Sequence, residues 1–171
     1  RLQDFDYRQP GFYFITICVN EHEIKFGNIS DEKMHLNSNG VLVEQIWKKL
    51  SQRFPGIELD EYVIMPNHLH GIINLHDEQP ILYKYAKTEH VPQCFQETVQ
   101  TATRPYKQMP VLGEIIRSFK AEASYRLHRT GEPNFAWQRG YYESILSTEK
   151  HLAATRLYIV NNPARWALDK L

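Results

Sequence analysis

The chain has 171 residues, of which 42% are hydrophobic and 23% charged, values of an ordinary globular protein that exclude a disordered chain. Twenty basic residues balance twenty acidic ones, so the chain lacks the overall cationic excess of many nucleic-acid binders, and any phosphate contact must come from local patches. No apolar run approaches the roughly 20 residues that span a bilayer, and the opening Arg1-Leu2-Gln3-Asp4 has no signal-peptide core. A single domain over residues 1–171, cytoplasmic and without a membrane partner, is expected. Cys18 and Cys94 form no spaced framework and read as reduced thiols.

In chain order, Phe12 to Val19 is a β-branched and aromatic run introduced by Pro10 and Gly11, the pattern of a central strand. Ile24 to Ile29 and Met34 to Leu36 read as two short strands around Ser30, Asp31 and Glu32, a hairpin inserted after the first strand. Val41, Val43, Ile46, Trp47, Leu50 and Phe54 then recur at helical spacing, predicting an amphipathic helix from about Gly40 to Arg53, ended by Pro55 and Gly56.

Leu59 to Met65 is the next strand, and Pro66 and Asn67 turn the chain into His68-Leu69-His70-Gly71-Ile72-Ile73-Asn74-Leu75. Alternate side chains of a strand share a face, so His68 and His70 project together and can share a divalent ion. The bland reading of such a triplet is two partly exposed histidines on a sheet surface.

From His76 to Pro110 there is no sustained period. Tyr83, Tyr85, Phe95 and Tyr106 alternate there with Lys84, Lys87, Arg104 and Lys107, a mixture that suits base stacking and phosphate pairing as well as it suits a packed surface loop. Val111 to Arg129 predicts a helix with Leu112, Ile115, Ile116, Phe119, Ala123 and Leu127 on one stripe. Arg117, Lys120 and Arg126 lie off that stripe or at its edge and are candidates for phosphate contacts, against the alternative of a solvated helix face. Asn134 to Trp137 and Tyr141 to Ser147 read as an extended return and a fourth sheet strand. A last helix begins at Ser147 as N-cap, with Glu149 in its first turn, carries an apolar stripe of Leu152, Leu157 and Val160, and ends before Pro163. Tyr158 and Asn162 share another face of it.

These elements spell βαββαβ: an α+β, ferredoxin-like two-layer sandwich with an antiparallel sheet covered by helices on one side, a hairpin insertion and an extra C-terminal helix. The histidine strand is expected to be central, its polar face turned away from the helices.

Met65 to Ile72 resembles the His, hydrophobic, His motif of the single-tyrosine transposases. Tyr158-Ile159 with Asn162-Pro163, after Trp137-Gln138-Arg139-Gly140-Tyr141, is similar to the tail of the REP-associated tyrosine transposase group of that superfamily. The likeness runs from about Asp6 to Trp166. It implies an enzyme that cuts single-stranded DNA with a tyrosine, leaves a 5′-phosphotyrosine and a free 3′-hydroxyl, and rejoins strands by the reverse attack.

In that family Tyr158 would be the nucleophile, and His68, His70 and Asn162, four residues after the tyrosine, would hold the metal. Two histidines and one amide oxygen with open positions suit Mg²⁺ or Mn²⁺. The implied partner is single-stranded DNA with a hairpin, handled by a monomer or a homodimer. Tyr141 and Tyr142 compete with Tyr158, although only Tyr158 carries an Asn one helical turn on. Glu143 is a further candidate for orienting a ligand. The family pattern often has a His after the Tyr, Tyr, Glu triplet, where this chain has Ser144.

Histidine-triad nucleotide hydrolases need a third His where this chain has Ile72, and amidohydrolase barrels need a longer chain. A catalytically idle DNA-hairpin-binding protein of the same fold is the main rival.

Overall fold

Strand β1, Gly11–Cys18, forms the axis of the molecule because both of its faces are covered. The computed structural model describes residues 9–76 and 111–168; the aromatic and basic positions between Tyr83 and Lys107, and Cys94, lie outside the described residues. After β1 come a hairpin of β2 (Gly27–Ser30) and β3 (Lys33–Leu36), helices α1 (Ser38–Lys48) and α2 (Leu50–Arg53), then β4 (Ile57–Ile64) and β5 (His68–Leu75). Helix α3 (Leu112–Arg129), β6 (Tyr142–Leu146), α4 (Glu149–Val160) and a 3₁₀ segment, Pro163–Leu168, complete the order.

The main sheet has strand order β4-β5-β1-β6, and every neighbouring pair is antiparallel. With α1/α2 after β1 and α3 before β6, this is the expected βαββαβ sandwich, and β2 and β3 form a separate two-stranded sheet. Asp31 and Glu32, with φ of 49° and 59°, make the two-residue hairpin turn, whose left-handed backbone matches the twist of the strands it joins.

Tyr13, Ile15, Ile17 and Val19 join Leu69, Ile73 and Leu75 in the larger core under α1 and α3. Gly71 is part of this packing: a Cβ there would come 2.5 Å from the ring of Trp47, so the sheet admits the indole only because β5 has no side chain at that position. The opposite face carries Phe12, Phe14, Val63, Ile72 and Leu146, closed by Leu152 and Ile159 of α4. The histidine face of β5 therefore turns away from α1 and α3, as expected, but it is not open, because α4 lies across it.

Several local features differ from the sequence reading, among them the strand expected from Ile24, which begins at Gly27. The first long helix starts at Ser38, under the N-cap of Asn37, whose Oδ1 accepts from the Gly40 N–H at 2.9 Å, and it breaks at Lys49. Thr148 caps α4 in place of Ser147, its hydroxyl accepting from the His151 N–H at 3.1 Å. The buried stripe of α4 is Leu152, Thr155 and Ile159, whereas Leu157 and Val160 are 64% and 60% exposed. Helix α4 turns a narrow stripe to the sheet because it must also direct Tyr158 toward β5.

Candidate functional site

The turn before β5 is fixed by its backbone. Pro66 O accepts from the N–H groups of Lys25 and Phe26 at 2.9 and 3.0 Å, Asn67 O accepts from Val19 N–H at 2.8 Å, and Met65 N–H donates to His68 O at 2.8 Å. The side chain of Asn67 continues this into the site. Its Nδ2 donates to His22 O at 3.3 Å, which turns its Oδ1 toward His68 Nδ1, 2.7 Å away. The carboxamide oxygen can only accept, so His68 carries its proton on Nδ1 and offers an Nε2 lone pair.

His70 is held from the neighbouring strand. Register pairs it with Thr16, whose Oγ1 lies 2.8 Å from His70 Nδ1. The two Nε2 atoms are 3.0 Å apart, and both imidazoles are buried, at 0% and 1% exposure. Burial, reinforced by His68, pushes the His70 pKa down to about 3, so His70 is neutral over the ordinary pH range, as a metal ligand must be.

The Thr16 hydroxyl can donate or accept. When it donates, His70 keeps a proton on Nε2 and bonds to His68; when it accepts, both Nε2 lone pairs face one point. Two donors held at right angles about 2.1 Å from one ion lie about 3.0 Å apart, which is the separation found here.

Tyr158 reaches this pair from α4, with its hydroxyl 3.3 Å from His70 Nε2. Phe14 orders the approach, its ring stacked on His70 at 5.4 Å and edge-on to Tyr158 at 6.0 Å. Asn162 lies just past the end of α4, is 3% exposed, and its Oδ1 is buried with no hydrogen-bond partner among the described residues. An orphaned buried oxygen is rare in a folded protein and fits a donor kept for a ligand. Four residues on, the Trp166 ring stacks over His68 at 6.2 Å. Two imidazole nitrogens thus lie 3.0 Å apart beside the phenol, and the Asn162 oxygen, four residues after the tyrosine, is a buried acceptor of the kind a divalent ion takes.

A cavity of about 570 Å³ opens beside Tyr158, His70, Thr16 and Phe14, with Gln138 to Tyr142 along its wall. Tyr141 and Tyr142 are in that wall, Tyr142 79% exposed, but the phenol beside His70 is that of Tyr158. A larger cavity, about 700 Å³, lies across Gly140 and Tyr141 against α3, and neither histidine nor Tyr158 lines it. Glu143 borders that second space and not the first.

Of the proposed phosphate contacts, Arg117 is exposed at the larger cavity, while Arg126 is paired with Glu122 at 2.6 Å. Lys120 donates to the carbonyls of Gln138 and Gly140 at 2.6 and 2.8 Å, and burial lowers its pKa. Sequence reading missed Thr16, Asn67 and Trp166 as parts of the site. A signal existed for Thr16, the one aliphatic hydroxyl in β1, since a buried hydroxyl requires a partner.

Across known proteins, the chain is 39% identical over 174 residues to an uncharacterised protein of Haemophilus influenzae, a match covering 100% of this chain and 90% of that protein. Its fold is similar to that of a REP-associated tyrosine transposase solved bound to a REP hairpin, with a TM-score of 0.59 and 16% identity over 99% of this chain and 76% of that one. No family model matches the sequence.

Proposed function

We propose that this chain, which belongs to the same family as the Haemophilus influenzae protein, is a metal-dependent single-stranded DNA endonuclease and strand transferase. Its substrate would be hairpin-forming, repeat-like DNA, the kind of ligand held by the transposase of similar fold. The observation that carries the reading is the meeting of the Tyr158 hydroxyl with His70 Nε2 at 3.3 Å, beside a second imidazole nitrogen at 3.0 Å.

The Tyr158 oxygen would attack the scissile phosphorus, the bond from phosphorus to the 3′-oxygen would break, and the phenol proton would be replaced by one gained at the departing 3′-oxygen. The phosphate stays on tyrosine through its 5′ side, so a 3′-hydroxyl can reverse the step and join strands. A free phenol has a pKa of about 10 and is a poor nucleophile at neutral pH. Mg²⁺ or Mn²⁺ bound by His68, His70 and Asn162 would polarise the phosphate and stabilise the charge developing on it. The chain's own part is geometric: Asn67 and Thr16 orient the imidazoles, Phe14 fixes the phenol beside them, and α4 carries Tyr158 and Asn162 together. Tyr158 meets His70 of its own chain at 3.3 Å, which supports a monomer acting in cis over a homodimer that exchanges α4.

The test is covalent capture of an end-labelled hairpin with a single-stranded flank, with Mg²⁺ or Mn²⁺ present. The unaltered protein is expected to form an adduct that is lost with a chelator. Tyr158→Phe should form none while still binding DNA, and His68→Ala or His70→Ala should lower cleavage and metal affinity together. An adduct formed by the phenylalanine variant would move the nucleophile to Tyr141 or Tyr142, and binding without any adduct would leave a DNA-hairpin-binding protein.

A further inference from the structure

We infer that Lys120 is a positioning residue that holds Arg139 at the mouth of the Tyr158 cavity, where the guanidinium grips a backbone phosphate of single-stranded DNA beside the cut. This rests on the nuclease reading above only for the word cut; the phosphate contact is a separate claim. The two carbonyls bound by the Lys120 ammonium belong to Gln138 and Gly140, the residues on either side of Arg139. The segment is tied from two other directions. Trp137 Nε1 donates back to Lys120 O at 3.2 Å, and Gln138 N–H and Asn20 N–H bond to Cys18 O and Ala136 O, each at 2.9 Å, fastening the segment to the end of β1.

Gly140, at φ 78°, takes the left-handed turn that lets the chain leave this anchor and enter β6. Arg139 is exposed, lines the same cavity as Tyr158 and His70, and has no ion-pair partner among the described residues. The charge distribution favours the same division of labour. With two of its three N–H donors spent on carbonyls, Lys120 is half-buried and poorly placed to serve a phosphate. A guanidinium on a fixed turn can meet two phosphate oxygens at once.

The claim is read from the salt dependence of binding, measured by fluorescence anisotropy on labelled single-stranded DNA of mixed sequence without divalent ion. On single-stranded DNA each phosphate contact contributes about 0.7 to the slope of log affinity against log salt. Arg139→Ala should weaken binding about tenfold and lower the slope by about 0.7, with Arg139→Lys restoring most of the slope. Lys120→Met should lower the slope similarly, and the double variant should be no worse than Arg139→Ala alone, because both changes remove one contact. Should Lys120→Met fail to fold, Lys120→Gln, which keeps a donor for one carbonyl, replaces it in the cycle.

A slope loss of about 1.4 in the double variant would make Lys120 a phosphate contact in its own right and overturn the inference, as would an unchanged slope in Arg139→Ala. Covalent capture is scored separately. Loss of the adduct reading with the slopes as expected would sink the nuclease and spare this contact; adduct formation with unchanged slopes would do the reverse.

Discussion

Helices α3 and α4 lie on opposite faces of one sheet and are held by different means. Helix α3 buries six side chains, Leu112, Ile115, Ile116, Phe119, Ala123 and Leu127, in the larger core, and Phe119 packs edge-on against Trp47 at 5.4 Å. Helix α4 buries three, exposes Leu157 and Val160, and is pinned to β4 by the paired bonds of Arg156 to Asp60, at 2.9 and 2.5 Å. A broad apolar stripe makes a scaffold, because area removed from water stabilises without regard to direction. A narrow stripe supplemented by a charged clamp can aim one side chain, since hydrogen bonds between charged groups are directional. The scaffold helix buries the broader apolar face, and the clamped helix carries Tyr158 to the histidine pair.

The largest effect that separates them is a truncation in each core. Phe119→Ala should destabilise by about 3–5 kcal/mol, and Ile159→Ala on α4 by about 2 kcal/mol, as measured by urea unfolding. Equal costs would mean that α4 belongs to the same cooperative core as α3.

An intermediate effect lies at the seam between strand and site. Thr16→Val keeps the shape of the side chain but removes the atom 2.8 Å from His70 Nδ1. Metal affinity, followed by calorimetric titration with Mn²⁺, should fall about 10- to 100-fold, the usual range for losing the partner that orients a ligand. Unchanged affinity would remove the hydroxyl from the account of the site.

The smallest effect concerns the clamp and is read with pH. The Arg156 guanidinium holds the Asp60 carboxyl below its ordinary value of 3.8. A carboxyl whose pKa is lower folded than unfolded contributes stability that is fully present above the unfolded pKa and lost as pH falls through the folded one. The stability gap between the unaltered protein and Arg156→Ala should therefore be full above about pH 4 and close below it. The variant should also lose adduct formation at neutral pH by more than its loss of stability explains. A gap that persists at low pH would assign the effect to packing of the Arg156 stem.

Much of the architecture was legible because period and punctuation agree along this chain. The apolar run before Cys18, the stripe from Leu112 to Leu127 and the Pro66-Asn67 turn each serve one element, and local propensity and tertiary packing ask for the same thing there. Helix α4 was harder to read because its packing conflicts with a simple stripe: Thr155 is buried where Leu157 was expected to be, so hydrophobicity alone picks the wrong face. The basic residues of α3 were harder still. Spacing locates Lys120 on the helix surface, but nothing local says that a distant loop will return to occupy its ammonium.

The sequence by itself determined the order of elements, the shared face of His68 and His70, and the single helical turn between Tyr158 and Asn162, because each follows from backbone periodicity over a few residues. Only the tertiary structure decided that α4 would close over the histidine face, that Thr16 would come opposite His70, that Asn67 would set the His68 proton, and that Lys120 would serve a carbonyl pair. Those are contacts between residues far apart in the chain, or between neighbours whose geometry is imposed by strands that the rest of the chain brings together. Such contacts are selected by the packing of the whole core and leave no period in the sequence from which to read them.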